Sequence, residues 1–255
     1  MDELGALGPE PSDADLAGPA DEEVGEPPTV GELFAYMESQ DTEEREDAIS
    51  LLAELVCGAF GDDGAMLGHE VRAAGGVPIL ARLLEDPSAT VQQQTLLVLG
   101  NLCTTAVDAG AARTKEQLRK AGASRPLVRF LQPPDRDADE TELMLCCGAL
   151  QNLCDDSEWS LQVMAHGAVP RLEELLTHEQ PMVVRYASGT LRNLCLSLNP
   201  GTTAPADGLL SSTALKAIRR RAKQAELEQL ARTRATARIK HAASKMSMVA
   251  RLRRI

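Results

Sequence analysis

The sequence has few aromatic residues: three Phe, two Tyr and one Trp, or 2% of 255 residues, although apolar residues make up 44%. Its core must therefore consist of Leu, Val, Ala, Met and Cys, which are typical of packed helices rather than of strands. No run of about 18 apolar residues occurs, and the N-terminus is acidic and proline-rich, so neither a transmembrane helix nor a signal peptide is predicted. We expect an all-α protein of the cytoplasm, with the nucleus as an alternative location.

Motifs for catalysis and metal binding are also lacking. The six cysteines show no CxxC spacing, and we interpret all of them as reduced core thiols. The four histidines lack the spacing of a zinc site, and no phosphate-binding glycine loop or nucleophile elbow is present. We therefore expect no enzymatic activity, no catalytic residues, no metal site and no cofactor.

Basic residues are almost absent from the first part of the chain. Residues 1–70 contain 20 acidic residues and one base, whereas residues 210–255 contain 13 bases and two acids. Such an asymmetry is typical of segments that bind partners or each other. It predicts a disordered acidic leader over residues 1–29 and a basic helical tail over residues 209–255.

The chain does contain a repeat. Three segments align: AGGVPILARLL (74–84), AGASRPLVRFL (121–131) and AHGAVPRLEELL (165–176). Each precedes a second apolar run that ends in Asn-Leu-Cys, and the spacings between the segments are 47 and 45 residues, measured between Gly75, Gly122 and Gly167. A degenerate earlier copy is obtained by placing Leu33 opposite Leu80, which puts Glu54 where the asparagine should be. One copy cannot bury its own apolar stripe, so the copies are expected to stack.

These motifs resemble the armadillo repeat, a short helix followed by two longer ones, with G-x-x-P-x-L-x-x-L-L opening the second helix and L-x-N-L near the end of the third. The resemblance covers residues 30–198, with copies at about 30–57, 69–103, 116–154 and 158–195. It implies a right-handed armadillo-type α-solenoid of about four repeats. The Pro/Gly-rich stretch over residues 199–208 is interpreted as a linker to the tail. The copy at 116–154 departs from the pattern, because Pro126 comes one place late. The residues around the asparagines are nearer to the catenin and vacuolar armadillo groups than to importin alpha.

In armadillo proteins the third helices line a concave groove, and the resemblance implies that Asn101, Asn152 and Asn193 face it. A side-chain amide carries a donor and an acceptor, so each asparagine could clamp the backbone of an extended peptide. The alternative is that these amides satisfy backbone groups between repeats. The residues four and eight positions before each asparagine are expected to select peptide side chains. They are Leu97 and Gln93, Gly148 and Met144, Gly189 and Arg185, with Ser50 and Glu46 in the first copy.

The main functional expectation is a protein-binding adaptor or scaffold that holds an extended peptide of a partner in this groove. Binding of nuclear localisation signals in the manner of importin alpha is not expected, because no tryptophan occupies the position four residues before an asparagine. Two alternatives remain. Compact armadillo proteins that promote nucleotide exchange on Hsp70 also open with an acidic helical segment, such as EEREDAISLLAELV here. The second alternative is a nucleic-acid or anionic-membrane binder that acts through the basic tail.

The tail itself permits several interpretations. Its apolar positions alternate by three and four residues, which is typical of an amphipathic helix with a basic outer face. It could cap the last repeat, fold back on the acidic N-terminus or the groove, serve as a nuclear import signal, or bind an anionic partner. The basic residues assigned to this face include Arg219, Arg220, Arg221, Lys223, Arg234, Arg238 and Lys240.

Overall fold

The computed structural model describes residues 27–131, 140–199 and 210–220, together with a few helical positions between 223 and 236. Within these ranges the chain is helical, with no strand, as predicted. A 3-10 turn, Leu175–Thr177, follows α10, and residues 212–220 form a further helix. The main helices are α1 (Val30–Met37), α2 (Thr42–Gly58), α3 (Asp62–Ala73), α4 (Gly76–Leu83), α5 (Ala89–Leu102), α6 (Ala111–Lys120), α7 (Ser124–Arg129), α8 (Glu140–Leu153), α9 (Ser157–Ala165), α10 (Ala168–Glu174) and α11 (Pro181–Leu198).

The helices form four successive copies of one unit: α1–α2, α3–α5, α6–α8 and α9–α11. The last helix of each copy packs on the last helix of the next, so α2, α5, α8 and α11 form one continuous layer. We call this the third-helix layer. The shorter helices form a second layer, in which α1 contacts α3 and α4, α4 contacts α6, and α7 contacts α9. The predicted solenoid of about four repeats is therefore confirmed, with a first copy that lacks its short helix within the described residues.

Each complete copy turns sharply at its glycine. Gly75, Gly122 and Gly167 have φ values of +70°, +76° and +77°, in the left-handed region that glycine adopts without a steric penalty. Proline then occupies the third position of α4 and of α10, in the first turn, where its missing N–H is not needed. Pro126 is also the third residue of its helix, because α7 begins one residue later relative to the glycine. The late proline thus leaves the repeat geometry unchanged.

The core is mainly aliphatic, with Trp159 buried at one point, where its indole N–H donates to the carbonyl of Lys115 at 3.0 Å. Five of the six cysteines are buried, and burial raises the pKa of Cys103, Cys147 and Cys154 to about 12.

Cys57 is exposed, so the prediction that all six cysteines are core thiols is wrong for this residue. The equivalent Cys103 follows directly after the end of α5 and is fully buried. In the first copy α2 continues through Cys57 to Gly58. The Cys57 side chain therefore stays on the surface of the helix.

The helix at 212–220 packs against the last repeat. Leu210, Ala214 and Ile218 are buried and belong to the same hydrophobic core as the repeats. Ser211 fixes the start of this helix: its N–H donates to Glu173 of α10 at 2.7 Å, and its hydroxyl accepts from the Ala214 N–H at 3.1 Å. A terminal repeat needs such a cover for its apolar side. If the first turns of the tail cap the last repeat, contacts of this kind are expected.

Most of the remaining chain ends lie outside the described residues. This applies to residues 1–26 of the predicted leader, to residues 200–208 of the linker, and to residue 209 and most of the tail after residue 220. Within the described ranges no helix has the length and apolar character needed to cross a membrane. Of the basic tail residues, Arg219, Arg220 and Lys223 are exposed on helical backbone, and the others lie outside the described residues: Arg221, Arg234, Arg238 and Lys240.

Candidate peptide-binding surface

The three asparagines occupy the same place in the third-helix layer. Asn101, Asn152 and Asn193 are half-buried, and each directly precedes a fully buried leucine near the end of its copy. The residues before them repeat the same order of buried and partly exposed positions in α5, α8 and α11. The three amides therefore form one row across the layer.

Asn152 and Asn193 use their amide N–H groups to join neighbouring repeats. Asn152 Nδ2 donates to the carbonyl of Gly100 on α5 at 2.8 Å, and Asn193 Nδ2 donates to the carbonyl of Gln151 on α8 at 2.7 Å. Both carbonyls lie in the last turn of their helix, where the regular donor four residues later is lost. Each asparagine therefore caps the C-terminus of the preceding third helix.

Asn101 bonds differently. Its Nδ2 donates to the carbonyl of Leu97 in its own helix at 2.9 Å. By analogy with the other two asparagines, Asn101 would cap the carbonyl of Glu54 on α2. That helix continues to Gly58, and the N–H of Gly58, four residues after Glu54, is placed to bond this carbonyl. The length of the preceding helix thus decides whether the asparagine joins two repeats.

The bonds of Asn152 and Asn193 agree with the alternative considered from the sequence, in which the amides satisfy backbone groups between repeats. They use one of the donors that the predicted peptide clamp would have needed. An asparagine amide has two N–H groups and an oxygen acceptor. The side-chain oxygen and the second N–H take no part in these bonds, so each half-buried amide keeps polar capacity for a ligand.

The structure shifts the predicted alignment of the first copy by one residue in α2 and leaves it unchanged in α1. The buried positions of α2 match those of α5 when Leu55, and not Glu54, is opposite Asn101. In α1 the buried residues Leu33, Phe34 and Met37 match Leu80, Ala81 and Leu84, with Leu33 opposite Leu80. The residues four and eight positions earlier are consequently Leu51 and Asp47, rather than Ser50 and Glu46.

The residues predicted to select peptide side chains all lie on the third-helix layer. Gln93, Leu97 and Met144 are half-buried, and the last two pack against the hydrophobic core. Arg185 is exposed. The structure places these residues at the surface that the repeats share, and their role in selectivity stays a prediction.

Tyr186 was missed by the sequence reasoning. A Cβ atom built on Gly148 of α8 would lie 3.8 Å from two ring atoms of Tyr186 on α11, so the half-buried tyrosine ring covers this glycine. In the opposite direction the side chain of Gln151 lies over Gly189, where a Cβ would be 2.2 Å from Oε1. The glycines four residues before the asparagines therefore make room for side chains of the neighbouring helix. The sequence indicates this contact only indirectly: two copies have glycine at the position that Leu97 occupies in the copy of Asn101.

The sequence of the chain matches the family described as "Armadillo/beta-catenin-like repeat" over residues 69–104 and 160–196, which lie in the second and fourth copies. This chain contains armadillo repeats. No curated protein matches it over its length at a significant level. Whether this armadillo protein belongs with the catenin and vacuolar groups stays a prediction.

Solved structures support the same fold. The designed armadillo repeat protein YIII(Dq)4CqI is 21% identical, with 67% of this chain and 69% of that chain covered and a TM-score of 0.55. An engineered protein from a structural genomics consortium is 25% identical over 74% of this chain and 66% of its own, with a TM-score of 0.56. A designed armadillo repeat protein in complex with the peptide (KR)4 is 21% identical over 75% and 79%, with a TM-score of 0.57.

Charge is distributed unevenly along the third-helix layer of this armadillo protein. α2 contains five acidic residues and one base, Arg45, whose buried side chain bonds Asp86 (Nε to Oδ2, 2.9 Å). α11 contains two exposed bases, Arg185 and Arg192, and no acidic residue. The layer therefore presents negative charge on its first helix and positive charge on its last.

The described residues suggest no further chemistry. No group of three or more His, Cys, Asp or Glu within them is arranged to hold a metal ion. Armadillo repeats are typically scaffolds rather than enzymes.

Proposed function

We propose that this armadillo protein is a scaffold that binds an extended segment of a protein partner along the third-helix layer. The row of half-buried amides carries this proposal, because these amides recur once per repeat and keep an oxygen acceptor outside the inter-repeat bonds. Two further observations support it. A designed armadillo protein of similar fold has been solved with a bound peptide, and another was designed for modular peptide recognition.

The geometry suits an extended chain. Packed helices lie about 8–10 Å apart, and two to three residues of an extended chain span that distance. Each asparagine oxygen would accept one backbone N–H of the partner, so that the grip does not depend on the partner's sequence. The bond from Nδ2 to the preceding helix holds the amides of Asn152 and Asn193 in place, which lowers the entropy lost when a ligand binds.

The finer parts of the functional prediction stay proposals. They are the adaptor role, the cytoplasmic or nuclear location, and the two alternatives of Hsp70 nucleotide exchange and of anionic-partner binding by the tail. The described part of the tail bears on the last of these. Within residues 210–220 the apolar residues Leu210, Ala214 and Ile218 are buried against the repeats, so these three are not available to insert into a membrane, whereas Leu227 is exposed.

The scaffold proposal is tested by selection of random 12-residue peptides on the full chain, followed by affinity measurement of the selected peptides. The variant Asn101→Ala/Asn152→Ala should lower their affinity at least tenfold, because two hydrogen bonds to the peptide backbone are lost. Gln117→Ala, which removes an amide from α6 outside the layer, is the matched control. Undiminished binding by a double variant whose circular dichroism shows it to be folded would refute the role of the asparagines.

A further inference from the structure

The seam between α8 and α11 carries a partly exposed apolar surface beside Asn152. The ring of Tyr186 lies against Gly148, and Met144 is one turn before Gly148 on the same face of α8. Both Tyr186 and Met144 are half-buried, so part of each remains accessible. A tyrosine ring offers a large and rigid contact area at a low entropic cost.

A positive charge stands directly beside this surface. Arg185 precedes Tyr186 in the chain and is exposed. Within the described residues the repeats hold six arginines in ion pairs with acidic side chains, and Arg185 is not among them. Because α11 contains no acidic residue, nothing on its own helix neutralises Arg185. A lysine or arginine of a partner would therefore be repelled here, whereas a carboxylate would be attracted.

We infer that Met144, Gly148, Tyr186 and Arg185 form a specificity subsite, the tyrosine subsite, for a peptide that pairs an aliphatic or aromatic residue with an acidic one. The apolar side chain packs on the ring of Tyr186, and the neighbouring carboxylate binds the guanidinium of Arg185. The inference rests on the proposed function and names the chemical class of the partner: an extended acidic and apolar segment.

Alternating peptides provide direct probes, because alternation matches the two faces of an extended chain. The fluorescently labelled peptides (VE)4, (VK)4 and (SE)4 are titrated into the full chain at low salt, up to 1 mM. The tyrosine subsite predicts that (VE)4 binds at least tenfold more tightly than (VK)4, through charge. It also predicts that (VE)4 binds at least tenfold more tightly than (SE)4, through apolar contact.

Variants assign the effect to particular residues. Tyr186→Ala should weaken (VE)4 about tenfold, whereas Tyr186→Phe keeps the ring and should weaken it less than threefold. Arg185→Glu changes an exposed residue and should preserve the fold. It should weaken (VE)4 at least tenfold and remove the preference over (VK)4. Arg113→Glu, an exposed arginine of α6 outside the layer, is the charge-matched control and should have no such effect.

The possible results separate the two proposals. Equal binding of (VE)4 and (VK)4, binding of (SE)4 as tight as (VE)4, no binding of any of the three, or insensitivity to Arg185→Glu would each overturn the tyrosine subsite. The scaffold proposal would survive all of these if the peptides from the random selection still bind in an asparagine-dependent way. If that selection yields no peptide, the scaffold proposal fails on its own test.

Discussion

Charged side chains near the first turns of the helices join α2 to α5. Neutral side chains, closer to the helix C-termini, join α8 to α11. In the first seam Arg45 bonds Asp86, and the hydroxyl of Ser88 bonds Glu46. In the last seam the Asn193 amide and the Thr190 hydroxyl donate to backbone carbonyls of α8, at 2.7 and 3.1 Å.

The contrast shows how one repeat template yields two different surfaces. Arg45, the only base of α2, is buried in the ion pair with Asp86, so the helix presents an excess of acidic residues. The hydrogen bonds of the last seam involve no charged side chain, and the arginines of α11 stay exposed. The way in which two helices are joined therefore determines which charges are left for a partner.

The largest effect is expected when the charged link of the first seam is broken. The side chains of Arg45 and Asp86 are only 11% and 7% exposed, so Arg45→Ala leaves a buried carboxylate without its cation. The free energy of unfolding should fall by about 3–5 kcal/mol. The Arg129–Glu85 pair is 70% and 57% exposed, so the control Arg129→Ala should cost less than about 1 kcal/mol. Urea unfolding at pH 7 measures both, and equal losses would show that the first seam does not depend on this pair.

A smaller effect is expected from the neutral links. Asn152→Ala and Asn193→Ala should each cost about 1–2 kcal/mol, because each leaves a carbonyl in a last helical turn without its donor. Asn101→Ala should cost less than about 0.5 kcal/mol, since the Leu97 carbonyl keeps its regular bond within the helix. The same urea measurement compares the three variants. A loss for Asn101→Ala as large as that for Asn193→Ala would contradict the assignment of Asn193 as an inter-repeat cap.

The smallest effect on stability is expected at Cys57, the exposed thiol of the first copy. Thiolates rather than thiols react with Ellman's reagent, and burial holds the pKa of Cys103, Cys147 and Cys154 at about 12. At pH 8 one of the six thiols should therefore react rapidly in the folded protein, and all six in urea. Cys57→Ser should remove the rapid phase and change the free energy of unfolding by less than about 0.5 kcal/mol. Rapid reaction of a second thiol would mean that a seam opens readily.

The repeat was predictable because its signals are local. A glycine with positive φ, a proline in the first helical turn and leucines at helical spacing each depend only on nearby residues. Gly75 and Gly167, with the prolines that follow them, therefore located the copies correctly. Only α2 was misaligned, by one residue, because Leu55 stands where the other copies have the asparagine that marks this position.

The bonds of the asparagines were not predictable in the same way. The partner of Asn152 depends on where α5 ends, and the partner of Asn101 depends on α2 running on to Gly58. Helix ends are among the least certain features that a sequence pattern provides. Tyr186 was overlooked for a related reason, since it matters only through Gly148 of another copy.

The helix at 212–220 has a consequence for how a protein of this kind can change in length. A stack of repeats normally offers its open end as the place where another unit can be added. Here that place is occupied by Leu210, which precedes the helix, and by Ala214 and Ile218 of the helix itself. A unit added at this end would have to displace these contacts, whereas one inserted between existing copies would meet, on both sides, surfaces that already pack against a repeat.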